Sequence, residues 1–218
     1  QAAVRPNTKL FFAETIGNPK VSILDIKKVA DVAHQNGVPL IVDNTVATPF
    51  LIKPLEHGAD IVVHSATKFL GGHGTVVAGA IVDGGKFEWS KSDKFPGLTE
   101  PDPSYHGVVY TQALGDGIAY IIKARVQLLR DIGAAVSPDT AFSLIQGIET
   151  LSLRMERHVS NASKVASKGS ATLVKAWGAV MPLCRSCRPN GAVDKPSATG
   201  GAMLMPTPTT QYRPSSLP

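Results

Sequence analysis

Two stretches decide the architecture: Leu40-Ile41-Val42-Asp43-Asn44-Thr45 and Ile61-Val62-Val63-His64-Ser65-Ala66-Thr67-Lys68. Each is a short apolar run that stops at polar residues. Runs of this kind, too short for helices and without alternation, fit parallel strands covered on both faces. Working outward, Thr8–Ala13 reads as another buried strand, followed by the breaker Gly17-Asn18-Pro19. Ser22 is a candidate helix N-cap with Asp25 three residues on, and Ile26, Val29, Ala30 and Ala33 repeat at helical spacing. Gly37 suits a left-handed helix end before a strand over Val38–Val42. A short helical piece near Leu51–Glu56 precedes the strand Asp60–His64, and Val76–Val82 reads as a fourth strand closed by Asp83-Gly84-Gly85. Strand, helix, strand, helix, strand predicts an α/β domain with a largely parallel sheet, whose ligands bind at the carboxyl ends of the strands.

The strand signal then fades. Residues 86–107 read as loop, Thr111–Ala135 as one long helix, Ser137 as the cap of a helix with Pro138 in its first turn, and 149–166 as a further helix. The chain has 218 residues, 43% hydrophobic and 18% charged, which is ordinary for a globular fold and too apolar for disorder. It has no apolar run of about 18 residues and no signal-peptide pattern at Gln1, so it is expected to be cytoplasmic, with no membrane partner, and to begin inside a longer protein. The net charge of +5 suggests nucleic acid until its position is noted. Residues 1–167 carry 16 basic and 16 acidic residues, and the whole excess lies in 168–218. A body without a basic stripe has no electrostatic basis for nucleic-acid binding. The tail also holds seven of the 16 prolines and both cysteines, and reads as irregular. Cys184 and Cys187 have no second Cys or His pair to complete a zinc site, so no metal is expected.

A carboxylate, Asp43, and an amine, Lys68, thus emerge from the ends of neighbouring strands, with hydroxyls and the loop Gly71-Gly72-His73-Gly74 between and after them. Pyridoxal 5′-phosphate (PLP) needs such a set. Its aldehyde requires a lysine, its pyridine nitrogen a carboxylate, and its phosphate hydroxyls and backbone N–H groups. Lys68, Asp43, and Ser65 with Thr67 fill those roles. Taken singly, Asp43 also fits a turn cap and Lys68 a solvated loop residue. The glycine loop is no nucleotide loop, because no Gly-Lys-Ser/Thr ends it.

Several motifs in order then narrow the reading: Glu14-Thr15-Ile16-Gly17-Asn18-Pro19, Val42-Asp43-Asn44-Thr45, His64-Ser65-Ala66-Thr67-Lys68-Phe69, Gly72-His73-Gly74-Thr75, and Thr99 through Gly107. Over about residues 1–167 the chain resembles the PLP-dependent enzymes of cysteine and methionine metabolism, and within them the O-acetylhomoserine sulfhydrylase branch. The resemblance implies a PLP-dependent transferase of fold type I (aspartate aminotransferase-like), with a mostly parallel sheet flanked by helices and incomplete at both ends. It implies Lys68 as Schiff-base lysine and proton carrier, Asp43 as partner of the pyridine nitrogen, and Ser65 and Thr67 on the phosphate. Thr45 is implied near the ring and Asn18 near the substrate carboxylate or ring hydroxyl. The implied reaction is γ-replacement on O-acetylhomoserine by sulfide or a thiol. A cystathionine γ-synthase or methionine γ-lyase type of activity, or a catalytically incomplete fragment, are the alternatives. Small-molecule substrates and a homo-oligomer of the intact protein are the expected partners. Residues 1–135 are expected to form the core of the PLP-binding domain, 136–167 a helical linker toward a missing C-terminal domain, and 168–218 a tail that departs from the family. Composition and pattern change together at Ser167-Lys168, as a frameshifted or mispredicted end would produce.

Overall fold

A computed structural model describes residues 2–168. The readings of Cys184, Cys187 and residues 169–218 lie outside the described residues. The described residues divide into two units between His158 and Val159.

In the first unit, β1 (Phe11–Glu14), β2 (Leu40–Asp43), β3 (Ile61–Ser65) and β4 (Gly79–Asp83) form one sheet in chain order. β1 pairs parallel with β2, Phe11 beside Leu40 and Glu14 beside Asp43, and β2 pairs parallel with β3, Asp43 beside Val63. β4 runs antiparallel to β3, Ile61 facing Asp83 and Ser65 facing Gly79. The expected fourth strand is therefore present but starts three residues later than the apolar pattern suggested, with Val77 88% exposed before it. Its direction follows from the connection. A parallel return needs a long crossover, usually helical, whereas 66–78 is a glycine-rich loop with no helix.

Both faces are covered at the central strands β2 and β3, as their apolar runs required, whereas the expected buried strand at 8–13 is an edge strand with Phe12 60% exposed, and Ile81 and Val82 of β4 are exposed as well. α1 (Ile26–Gln35) packs against β2 and buries Ile26, Ala30 and Ala33 at spacings of four and three, one face of a helix. On the other face Ile41, Ile61 and Val63 meet Trp89, Leu98, Tyr110 and Ala119. Trp89 stands edge-on to Phe95 at 5.0 Å and stacks on Tyr120 at 5.5 Å, the arrangements that aromatic quadrupoles favour.

Local expectations fail where tertiary pairing competes. Asp25, not Ser22, caps α1, accepting the Lys28 N–H at 3.2 Å. Ser22 is used elsewhere: its carbonyl accepts the Gly17 N–H at 2.8 Å, and Ile23 bridges to Ile16, so the chain is still extended there. Gly37 does close α1 with a positive φ of 63°. The 48–57 region splits into α2 (Thr48–Leu51) and a 3₁₀ turn, Pro54–His57. In 86–107, α3 (Pro96–Thr99) lies between two further 3₁₀ turns. The expected long helix over 111–135 is interrupted: α4 (Tyr110–Leu114) ends at Gly115, α5 (Asp116–Lys123) follows, and a π-helical stretch, Ala124–Leu129, leads into α6 (Arg130–Ile132). Gly115 has φ 74° and ψ 163°, a conformation open to glycine and closed to most side chains. Ser137 caps α7 (Pro138–Glu149) as expected, accepting the Thr140 N–H. The last helix, α8, spans Leu151–Lys168.

Asp102 explains why the proline-rich loop before α4 is ordered. It is buried, caps the turn Pro103–Tyr105 by accepting from Ser104 N–H and Oγ, and pairs with Lys123. The Lys123 ammonium, with help from Ser104, holds its carboxyl well below the usual carboxylate range.

Gly147 marks the tightest approach in this unit. A Cβ placed there would lie 2.2 Å from the Gly71 carbonyl oxygen. In a solvent-facing helix Gly→Ala stabilises by about 1 kcal/mol. Here the clash is with backbone, so Gly147→Ala is expected to destabilise by about 1–3 kcal/mol. Chemical denaturation checks the sign, and a rise in midpoint would refute the packing.

Candidate active site at the strand ends

Asp43 is the last residue of β2. It is half-buried, and Oδ1 accepts the Thr45 N–H at 2.9 Å, which closes a local turn at the end of the strand. No described residue hydrogen-bonds to Oδ2. Thr45 Oγ1 in turn accepts the Ser65 N–H at 2.8 Å and so ties the end of β2 to the end of β3. Lys68 follows β3 by one turn. Its N–H donates to the Ser65 carbonyl at 3.1 Å, its carbonyl accepts the Gly72 N–H at 2.8 Å, and its side chain is exposed, with no described partner for Nζ.

Thr67 Oγ1 accepts the Ala78 N–H at 3.0 Å and lies 3.3 Å from the Ala78 carbonyl, closing the base of the glycine loop. The Ser65 hydroxyl is the less engaged of the two. Asn18 lies beyond the end of β1, at the same end of the sheet as Asp43. It is exposed, its N–H donates to Glu14 Oε2 at 2.7 Å, and its bond to Pro19 is cis. A cavity of about 200 Å³ beside the loop is lined by Thr67, His73, Thr75, Ser143 and Gln146, among others. His73 Nδ1 is bound to the Gly71 carbonyl at 2.8 Å, so the imidazole rigidifies its own turn.

Three features had no clear signal in the sequence. Arg154 donates to the carbonyls of Phe69 (2.7 Å), Leu70 (3.2 Å) and Gly147 (2.6 Å), and so clasps the turn that carries Lys68. In the sequence it is one more polar residue of an amphipathic helix. Thr15 and Asn44 are both buried and bonded to each other. His64 is buried with Nδ1 unpartnered, and burial pushes its ring below the ordinary histidine value while the nearby Asp43 charge opposes that shift.

Residues 1–168 match the profile of the family described as Cys/Met metabolism PLP-dependent enzyme. This chain belongs to that family. The O-acetyl-L-homoserine sulfhydrylase of Leptospira meyeri is 56% identical over 171 residues, 75% of this chain and 38% of the relative. The homocysteine/cysteine synthase of Saccharomyces cerevisiae is 50% identical over 161 residues, 73% of this chain and 36% of the relative. Among solved structures, an O-acetylhomoserine (thiol)-lyase from Campylobacter jejuni described as putative superposes with a TM-score of 0.70 at 39% identity, over 76% of this chain and 41% of that one; it contains N′-pyridoxyl-lysine-5′-monophosphate. The chain thus spans well under half the length of these relatives.

The donor set fits the cofactor of that family. Oδ2 of Asp43 offers an acceptor for a ring N–H, Nζ of Lys68 an amine for an aldehyde, and the Ser65 hydroxyl a donor for a phosphate. The amine is exposed and not enclosed by the described residues. Among those residues no group of three metal-ligating side chains is present, and no helix is long and apolar enough to cross a membrane.

Proposed function

We propose that this chain carries the cofactor-binding core of an O-acetylhomoserine sulfhydrylase, which exchanges the γ-acetoxy group of O-acetylhomoserine for sulfide or a thiol. With sulfide the products are homocysteine and acetate; with methanethiol, methionine and acetate. The observation that carries the proposal is Asp43 and Lys68 at the carboxyl ends of two paired parallel strands, joined by the Thr45–Ser65 bond. The names of the relatives supply the substrate.

When bound, PLP supplies an aldehyde for the substrate amino group and a ring that accepts the electrons released at Cα. The chain's own residues do the rest. Asp43 Oδ2 holds the proton on the ring nitrogen, and the Thr45 N–H keeps that carboxylate in place. Ser65 and Thr67 anchor the phosphate, and Asn18 orients the substrate carboxylate. Lys68 Nζ binds the cofactor at rest and, once freed by substrate, moves protons at Cα and Cβ so that acetate departs from Cγ and sulfur adds there. Residues 1–135 form the core of the cofactor-binding domain and 136–167 a helical linker whose Gly147 and Arg154 pack on the turn that carries Lys68. The intact protein is a cytoplasmic homo-oligomer acting on small molecules.

The span of well under half of each relative favours a second reading, a chain that captures PLP without completing turnover. One experiment separates them. The purified chain is mixed with PLP, O-acetylhomoserine and sulfide, and homocysteine is measured against time. Homocysteine formation establishes the activity; PLP capture alone establishes the incomplete fragment; neither refutes the assignment. Cysteine in place of sulfide distinguishes a cystathionine γ-synthase type of chemistry.

A further inference from the structure

We propose that Thr15 and Asn44, two buried residues with no assigned role, are positioning residues that hold the Asp43 carboxylate in one direction; this rests on the reading of Asp43 as the group that faces the cofactor. Thr15 is 1% exposed and Asn44 0% exposed. Buried amides and hydroxyls are costly unless every polar atom is used, and here each is used around Asp43. The Thr15 N–H donates to the Asp43 carbonyl at 2.9 Å. The Thr15 hydroxyl lies 2.7 Å from Asn44 Oδ1 and 3.1 Å from the same Asp43 carbonyl, and shares its one proton between them. Asn44 Nδ2 donates to the Ile52 carbonyl at 2.9 Å, and the backbone of Asn44 donates to Val63 and accepts from Thr48, each at 2.9 Å.

Asn44 is therefore bonded to Thr15 just beyond β1, to β3 and to the segment around α2, and it sits between Asp43 and Thr45. Asp43 Oδ1 is fixed by the Thr45 N–H, so the carboxylate points wherever the Asn44–Thr45 peptide is turned. Clamping the Asn44 side chain fixes that peptide. Oδ2 is then presented in one direction while Oδ1 stays engaged. A hydrophobic residue at 44 would fill the space but leave the carbonyl of that peptide held by the Thr48 N–H alone, without the side-chain bonds to Thr15 and Ile52.

The test uses the 218-residue chain and needs no turnover. Side-chain coupling constants of labelled Asp43 report its χ1 rotamer in the absence of PLP. A single rotamer is expected in the native chain, averaging in Thr15→Val, and a single rotamer again in Thr15→Ser, which restores the hydroxyl. Should Thr15→Val lose the fold, Thr15→Cys, which drops the γ-methyl and leaves only a weak donor, reads the same coupling. PLP titration is expected to show about tenfold weaker binding for Thr15→Val, with no such loss when Asp43→Asn is already present. A single Asp43 rotamer retained in the folded Thr15→Val or Thr15→Cys chain overturns the proposal, as does a tenfold loss that persists undiminished beside Asp43→Asn. If the rotamer averages but neither Thr15→Val nor Asp43→Asn alters PLP binding, the positioning role stands and the cofactor role of Asp43 falls.

Discussion

Lys68→Ala is expected to abolish covalent capture of PLP by this chain. After borohydride reduction, the peptide containing residue 68 should carry the pyridoxyl mass in the native protein, and no peptide should carry it in the variant. The expectation rests on where the amine sits. Lys68 is held by its backbone in the turn after β3, through the Ser65 carbonyl and the Gly72 N–H, while its side chain is exposed and Nζ has no described partner. Removing it leaves no buried group unsatisfied, so stability should change by no more than about 0.5 kcal/mol. Loss of the adduct then reports chemistry and not unfolding. In a form of the protein that turns over, loss of the proton carrier alone is expected to cost about 10²–10⁴ in rate. An adduct of undiminished yield on another lysine would move the site.

What sequence reading captured and missed divides along a physical line. The apolar runs 40–42 and 61–63 read as covered strands, because three consecutive hydrophobic residues bounded by turn and polar residues fit a strand buried on both faces and are too short for a helix. The polar residues at their ends therefore had to sit together at the strands' carboxyl ends, and Asp43 and Lys68 were legible for that reason. Motif resemblance added their chemistry. The failures share one cause, competition between a local preference and a partner far away in the chain. Ser22 has the composition of a cap, but the pairing of Ile23 with Ile16 keeps it extended. Residues 111–135 have a helical period throughout, yet Gly115 takes a conformation that ends one helix and begins another. The direction of β4 depends on a loop with no helix in it, which the strand's own residues do not reveal. Arg154, 84 positions from one of the carbonyls it clasps, and the Thr15–Asn44 pair, 29 positions apart, act through contacts that periodicity and spacing do not encode.

Asp43→Asn should separate the electrostatic part of the site from its shape. The amide is the same size and can keep its oxygen on the Thr45 N–H, in the place now taken by Oδ1. Its nitrogen then occupies the position of Oδ2 and presents a donor where a carboxylate stood. A ring N–H facing that position meets another N–H, and the negative charge that stabilised the protonated ring is gone. Hydrogen bonds to charged groups contribute about 1.5–3 kcal/mol, so PLP binding is expected to weaken by roughly 10–100-fold. The sign of the pH effect follows from the same charge. A carboxylate favours the protonated ring and keeps it so to higher pH; without it the ring nitrogen of bound PLP should titrate at lower pH, visible as a shift of the absorbance titration. Loss of a preorganised charge at a reacting centre costs about 10²–10³ in rate, and that is the expected fall in homocysteine formation by a form that turns over. Because Asp43 is half-buried at a strand end and its strand pairs through backbone, the fold should survive the change. Unaltered binding together with an unshifted pH profile would show that Asp43 does not face the cofactor and that some other acceptor holds its ring.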